Sequence, residues 1–286
     1  MVELAEVGGA DLYRRGFGGD SYNTAIYLAR EGLDVDYMTR LGDDAFSQAI
    51  VACLEREGIG TSLLQCIPGR QPGLYMIENS LEGERQFHYW RGQSPARELF
   101  ERLPDAMPCD VFYFTGITLA ITRDDIDNLK CLLQRLRQRG TGVVFDPNYR
   151  PRLWHSESQA RQHYREVLPY CTAVLPTLED DMALWGAASA AHSAEVYMSH
   201  GVEEIVVKTP QLLVCAFAGE QSCQRQAKPV AAVDTTGAGD SFNAAYLAAR
   251  FRGASLEAAI IAGQNLAASV VQHRGALLPQ SLETGQ

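Results

Sequence analysis

A phosphate-binding turn is indicated by one segment near the end of the chain, Asp234-Thr235-Thr236-Gly237-Ala238-Gly239-Asp240-Ser241-Phe242, which precedes an alanine-rich helix pattern. Two glycines around one alanine let successive backbone N–H groups turn inward and form an anion-binding concavity. The positive end of the following helix adds to it. We therefore expect Gly237, Ala238 and Gly239 to hold a phosphoryl group, and Asp240 to accept the proton of an attacking hydroxyl.

A purely structural interpretation of this segment is a glycine-rich helix start with Asp240 as a first-turn acid. A bare Gly-x-Gly-Asp would favour that interpretation. The whole string, in a strand–turn–helix context, favours the phosphate site.

The elements that must position this turn alternate between strand-like and helix-like patterns along most of the 286 residues. Such alternation predicts an α/β fold with a mostly parallel central sheet flanked by helices. The predicted strands are 35–39, 111–114, 143–145, 173–175, 205–208 and 212–217, and the principal predicted helices are 21–30, 124–139, 241–250 and 256–272.

A β-hairpin interrupts the alternation. Two short aromatic-rich runs, 74–78 and 86–91, flank a polar turn at 79–84 with no helix between them. In the second run Tyr89 and Arg91 share one face. Because these strands cannot join a parallel sheet directly, we expect a single domain, 1–286, with a small β lid contributed by roughly 8–19 and 66–95.

Charge and composition limit the partners. The chain has 35 acidic and 25 basic residues and a net charge of −10, which argues against nucleic acid and anionic membranes as partners. No segment is long and apolar enough to span a bilayer, and the first residues do not read as a signal peptide. Seven scattered cysteines without metal spacing predict reduced thiols in a cytoplasmic protein.

The glycine-rich turn resembles the C-terminal signature of the ribokinase-like (PfkB-type) carbohydrate kinases. The segment Gly18-Gly19-Asp20-Ser21-Tyr22-Asn23-Thr24-Ala25 resembles the N-terminal glycine motif of the same family. The hairpin lies between the two motifs, as in the family, so the resemblance covers essentially the whole chain. It implies a ribokinase-like fold and a kinase that uses ATP and Mg²⁺ to phosphorylate a sugar hydroxyl.

Within the family, three more segments resemble kinases of a sugar acid, 2-keto-3-deoxygluconate: Gly73-Leu74-Tyr75, Tyr89-Trp90-Arg91 and 146–154. Arginine forks suit a carboxylate or phosphate, and phenol hydroxyls suit sugar oxygens. Without the resemblance, Tyr89 would be a half-buried strand aromatic and Arg91 a solvated charge. By resemblance, the residues lining the sugar-acid site are Gly19, Asp20, Asn23, Tyr75, Tyr89, Arg91 and Arg150.

The resemblance also implies a nucleotide and metal site. Asn148, Arg150, Gly237 and Gly239 would approach the ATP phosphates, while Lys208 and Asn265 would border the adenine. The family's Asn-x-x-Glu magnesium motif corresponds here to Thr177-Leu178-Glu179-Asp180, in which a threonine replaces the asparagine. Mg²⁺ keeps its waters and needs only one or two carboxylates, so Glu179 and Asp180 would support it through water. The alternative is a capping Thr177 followed by acids on a solvated first turn.

Two departures from the family pattern affect these expectations. Family members usually begin with a strand that precedes the position of Met1 and ends in an acidic residue near the sugar. That strand is absent here, so either the start is misplaced or a sheet position is open, with a neighbouring strand exposing its backbone. The loop Lys208-Thr209-Pro210-Gln211-Leu212 also lacks the glycines that usually follow this lysine.

Because of these departures, two alternative functions are considered. One is a kinase of a neutral sugar such as fructose or ribose, and another is a catalytically weak sugar-acid-binding homologue that has lost its nucleotide site. In each case the exposed aromatic faces of the lid predict a homodimer formed through it.

Overall fold

A computed structural model describes residues 1–7, 12–79 and 85–280. Within these ranges, strands and helices are numbered separately in chain order. The strands are β1 (Val2–Glu6), β2 (Tyr13–Phe17), β3 (Thr39–Leu41), β4 (Leu64–Cys66), β5 (Leu74–Asn79), β6 (Arg85–Trp90), β7 (Val111–Thr115), β8 (Gly142–Asp146), β9 (Ala173–Val174), β10 (Glu204–Lys208), β11 (Leu213–Ala218) and β12 (Gln221–Gln226). The helices are α1 (Asp20–Arg30), α2 (Ala45–Arg56), α3 (Gly116–Ile121), α4 (Ile126–Gln138), α5 (Glu157–Val167), α6 (Leu178–Trp185), α7 (Ala190–Met198), α8 (Ala238–Phe251) and α9 (Leu256–Val271).

A six-stranded sheet in the order β12-β11-β10-β9-β8-β7 forms the centre of the fold. Strands β7 to β10 are mutually parallel, and β11 and β12 are antiparallel to their neighbours. Apolar side chains of α4 to α7 pack on one face of this sheet, and those of α1, α8 and α9 pack on the other. The predicted α/β class with a mostly parallel sheet flanked by helices is confirmed.

Two sequence predictions at the sheet edges were wrong. The predicted strand at 35–39 does not form as a whole. Asp36 makes only an isolated bridge to Gly60, and β3 begins at Thr39. Strand β12 was not predicted, since its sequence is polar and mostly exposed. An edge strand that pairs through its backbone needs little apolar patterning.

The position beside β7 is open in the described part of the chain. Strand β7 lies at the edge of the six-stranded sheet, and β3 pairs only with β4 in a separate two-stranded sheet. Met38 and Leu63 nevertheless pack against the core that contains Phe114. Thus β7 is an edge strand without a partner on its outer side among the described residues.

The lid is a four-stranded sheet in the order β2-β1-β5-β6. The predicted bounds of the lid need correction, because β1 also belongs to it and β4 pairs with β3 instead. Residues 8–11 and 80–84, which include most of the predicted hairpin turn, lie outside the described residues. The lid is therefore built from both the chain start and the predicted hairpin.

The site lies where parallel strands end and two helices begin. Asp146 ends β8 and Lys208 ends β10, and the carboxyl ends of parallel strands meet at one edge of the sheet. Helices α1 and α8 start at this edge from Gly19 and Gly237, and neither has a side-chain cap. Side-chain caps are present at the starts of α2, α3, α5, α6, α7 and α9, whereas α4 has none. The positive ends of α1 and α8 are left open toward the site.

No helix in the ranges described is both long enough and apolar enough to cross a membrane.

Candidate active site

The turn before α8 has the conformation expected of an anion-binding site. Gly237 adopts φ +78°, and a β-carbon there would lie 2.8 Å from the Ala276 carbonyl oxygen, so only glycine fits. Asp234 accepts hydrogen bonds from the N–H groups of Thr236 (3.0 Å) and Gly275 (2.6 Å), which ties the chain around 275 to the turn. A β-carbon on Gly239 would meet open space. The chain at Gly239 is therefore accessible, while the Ala238 N–H donates to the Thr235 carbonyl at 3.2 Å.

Asp240 and Asn23 connect the starts of the two helices. The Asn23 Nδ2 donates to Asp240 Oδ2 at 2.8 Å. Asn23 is 5% exposed, and its Oδ1 has no hydrogen-bond partner among the described residues. Since a buried acceptor is rarely left unpaired, this oxygen is suited to a ligand hydroxyl. Burial and the charge of Asp20 raise the pKa of Asp240 well above its usual range, and the Asn23 bond opposes the rise.

Asp20 is fixed by a second asparagine. The Asn148 Nδ2 donates to Asp20 Oδ2 at 3.0 Å, and the Asn148 N–H donates to Asp146 Oδ1 at 3.1 Å. Asn148 adopts φ +33°, a conformation that asparagine tolerates better than most residues. The strained conformation occurs where one residue bridges two carboxylates, Asp20 through its side chain and Asp146 through its backbone N–H.

A third asparagine continues the network to Lys208. Asn243 is fully buried; its Nδ2 donates to Asp146 Oδ2 and its Oδ1 accepts from Lys208 Nζ, each at 2.8 Å. Lys208 Nζ also donates to the Leu175 carbonyl at 2.7 Å, and burial lowers the pKa of this lysine. Lys208 thus orients Asn243, and its place beside adenine stays a prediction.

The lid contributes a buried tyrosine–glutamate pair. Tyr75 Oη donates to Glu3 Oε2 at 2.5 Å, and both residues are at least nine-tenths buried. Burial and the Glu3 charge raise the pKa of Tyr75 above its usual range. A β-carbon on Gly18 would lie 2.3 Å from the Tyr75 oxygen, so glycine is required there. Glu3 of β1 thus places an acid beside Tyr75 in the lid.

Arg91 is a cation held at the end of β6. Its guanidinium carbon lies 4.4 Å above the Tyr89 ring, and Tyr89 itself is 49% exposed. No carboxylate of the described residues lies within ion-pair distance of Arg91. Burial lowers the pKa of Arg91, while Tyr89 and Asp20 oppose this, yet guanidinium stays charged in proteins. The site therefore offers an unpaired cation to an anionic ligand.

The predicted metal residues lie at the start of α6. Thr177 accepts a hydrogen bond from the Asp180 N–H at 3.2 Å and so caps the helix. The Asp180 carboxylate pairs with Arg150 at 3.5 Å, and Glu179 is exposed. No group of three or more metal-ligating side chains occurs in the part of the chain described.

Most of the predicted site residues are brought together. Gly19, Asp20, Asn23, Asn148, Lys208 and the 237–240 turn share the sheet edge, whereas Asn265 is exposed on α9 and takes no part in the network. Sequence reasoning missed Glu3, Asp146 and Asn243 as site residues. Asn243 stands three residues after Asp240, on the same face of the helix, and this spacing was the available signal.

An open helix start with a buried carboxylate beside it, at the ends of parallel strands, is the arrangement expected of a phosphoryl-transfer site. The profile of the pfkB family of carbohydrate kinases matches residues 6–283. The chain belongs to this family and is a carbohydrate kinase.

Several proteins with assigned names align with nearly the whole chain. A 2-dehydro-3-deoxygluconokinase from Escherichia coli is 40% identical, with 98% of this chain and 95% of that protein aligned. The protein of the same name from Haemophilus influenzae is 35% identical, over 97% of this chain and 93% of that protein. The crystal structure of 2-dehydro-3-deoxygluconokinase from Thermotoga maritima has a TM-score of 0.85 at 21% identity, over 97% of this chain and 93% of that one. This last match establishes the shared fold.

Proposed function

We propose that the protein transfers a phosphoryl group from ATP to the terminal hydroxyl of 2-keto-3-deoxygluconate, which is also called 2-dehydro-3-deoxygluconate. The observation that carries the choice of substrate is the unpaired Arg91 guanidinium stacked on Tyr89 in the lid. A neutral sugar would leave this partly desolvated cation without an anion. The two relatives at 40% and 35% identity support the same substrate.

Asp240 would accept the proton of the terminal hydroxyl as its oxygen attacks the γ-phosphorus of ATP and the bond to ADP breaks. The N–H groups at Gly237, Ala238 and Gly239 would hold the charge on the transferred oxygens. Asn23 fixes the Asp240 carboxylate from the other helix. The base and the anion site are thus adjacent on one rigid turn.

The sugar acid would occupy the space between the α1 start and the lid. Arg91 and, near the phosphates, Arg150 would supply forked donors to anions. Tyr75 donates a hydrogen bond to Glu3, so the lone pairs of its oxygen remain available to accept a hydrogen bond from a sugar hydroxyl. Gly19, Asp20, the unpaired Asn23 oxygen and the Tyr89 phenol would complete the polar lining.

The nucleotide and its metal would lie beside α6 and the loop after β10. Burial raises the pKa of Asp146, and the charges of Asp20 and Asp180 raise it further, so a bound counter-cation would favour the ionised carboxylates. This arrangement fits Mg²⁺ held through water by Asp180 and Glu179, which would neutralise phosphate charge when bound. Asn148, Arg150 and the 237–239 turn would contact the phosphates, and Lys208 and Asn265 the adenine.

The proposal is tested by identifying the product. We expect ³¹P NMR of a reaction with ATP and 2-keto-3-deoxygluconate to show a phosphomonoester coupled to the terminal methylene protons. Phosphate on another carbon, or no phosphomonoester, would contradict the proposed chemistry.

A pH dependence follows from the raised pKa of Asp240. A base must be ionised, so kcat/KM should fall as pH decreases through this pKa. Because the charge of Asp20 raises the pKa of Asp240, Asp20→Asn should lower that pKa and move the acid limb of the kcat/KM profile to lower pH. Asp127→Asn, on the exposed face of α4, should leave the limb in place. An acid limb that stays in place in Asp20→Asn would argue against Asp240 as the titrating base.

We also propose a homodimer formed through the outer face of the lid. Tyr13 and Trp90 are 39% and 57% exposed there, and an isolated small sheet needs a cover for its apolar face. Light scattering should give twice the 31.4 kDa chain mass, and Trp90→Glu should shift the protein toward the monomer mass. A wild-type protein that is monomeric at micromolar concentration would contradict the proposed homodimer.

The free state of all seven cysteines supports the proposed cytoplasmic location.

A further inference from the structure

We propose that Arg14, on lid strand β2, binds the phosphate group held at the start of α8. It would complete that anion site from the lid side. The inference rests on the proposed function, because it assigns a phosphate-binding role within the same phosphoryl-transfer site.

Strand register places Arg14 on the face of the lid that carries the substrate residues. Arg14 pairs with Ala5 of β1, two residues from Glu3, which pairs with Gly16 of β2 and with Tyr75 of β5. Paired residues share a face, and so do residues two apart on one strand. Arg14 therefore shares the inner face with Glu3 and Tyr75.

The tip of Arg14 lies beside the chain that covers the phosphate turn. A β-carbon built on Gly275 would be 3.6 Å from Arg14 Nη2. The Gly275 N–H donates to Asp234, and a β-carbon built on Gly237 would lie less than 3 Å from the next residue, Ala276. Arg14 is thus separated from the anion site by one short stretch of backbone, and its flexible side chain can reach the site from there.

The guanidinium of Arg14 also lacks a charged partner among the described residues. It forms no ion pair or hydrogen bond with any of them, although nine of the described arginines do form ion pairs. The neighbouring Arg15 points to the other face, where its guanidinium lies 5.8 Å from the rings of Phe17 and Phe46. Arg15 is therefore a matched control: same strand, same charge, opposite face.

Arg14 and Arg91, neither of which has an ion-pair partner among the described residues, lie at opposite edges of the lid sheet. Arg14 is on β2 and Arg91 follows β6, and the sheet order is β2-β1-β5-β6. Three strand spacings of about 4.8 Å separate these edges by about 14 Å. The two arginines are also offset along the strands, because Arg14 aligns through the register with Phe87, four residues before Arg91. At this separation the two guanidinium groups cannot hold the same anionic group, so each is available to a different one: the carboxylate of the sugar acid or the phosphate. Arg91 suits the carboxylate, and Arg14 suits the phosphate.

The test compares Arg14→Ala, Arg14→Lys and Arg15→Ala in the full chain. Loss of a charged hydrogen bond to phosphate is expected to lower kcat/KM for ATP about tenfold to a hundredfold in Arg14→Ala. The KM for the sugar acid should change by less than about threefold, because the carboxylate partner remains. Arg14→Lys should recover part of the loss, and Arg15→Ala should match the wild type within about twofold.

Calorimetric titration with a non-hydrolysable ATP analogue separates this inference from the proposed function. With sugar acid present, Arg14→Ala should bind the analogue more weakly than Arg15→Ala does. Equal analogue affinity and equal kcat/KM in the two variants would overturn the role of Arg14. A wild type that binds the analogue but phosphorylates no sugar acid would instead refute the proposed function, and the analogue affinities would still decide the role of Arg14.

Discussion

Asp240→Asn is expected to lower kcat by about a hundredfold or more, because an amide cannot accept the proton of the attacking hydroxyl. The substituted side chain keeps the size of the original, and its oxygen can still accept from Asn23 Nδ2. KM values for both substrates should therefore change little. A coupled assay of ADP release gives kcat and KM for each substrate.

The control for this variant is Asp127→Asn, which removes one exposed carboxylate on α4. Both variants should melt within a few degrees of the wild type, so that a loss of turnover in Asp240→Asn alone reports chemistry. Near-normal turnover in a folded Asp240→Asn protein would eliminate Asp240 as the base.

The second large effect is expected at Arg91. Arg91→Ala should raise KM for 2-keto-3-deoxygluconate about tenfold to a hundredfold, because a charged hydrogen bond to the carboxylate is lost. Arg91→Lys should recover only part of this, since lysine cannot form the two-pronged contact or the same stacking on Tyr89. The measurement is KM for the sugar acid at saturating ATP.

Arg102→Ala, which removes an exposed arginine further along the chain, is the matched control and should behave like the wild type. Unchanged kinetics in Arg91→Ala would favour the alternative of a neutral-sugar kinase, because the lid cation would then have no anion to bind.

The parts of the site that the sequence predicted are those carried by local geometry. Gly237, Gly239 and Asp240 stand within one turn, where residue type and spacing dictate an open helix start. The same holds for Gly19 at the start of α1. Their mutual arrangement, with Asn23 bonded to Asp240 across 217 positions of sequence, came only from the family resemblance.

The parts that the sequence did not predict depend on pairings between distant segments. Glu3 meets Tyr75 only because β1 pairs in parallel with β5, and the periodicity of a five-residue strand does not reveal that partner. Asn243 joins Asp146 to Lys208 only once β8 and β10 lie in one sheet. Buried polar networks of this kind are specified by the tertiary fold rather than by local propensity.

The most direct test of the central claim is the rate of ADP release with 2-keto-3-deoxygluconate, fructose and ribose, each assayed with ATP and Mg²⁺. We expect kcat/KM for 2-keto-3-deoxygluconate to exceed that for either neutral sugar by about a hundredfold or more, since a site built to pair a carboxylate discriminates strongly against substrates that lack it. Equal or better turnover of fructose or ribose would contradict the assignment of substrate. Binding of the sugar acid with no ADP release would contradict the assignment of activity.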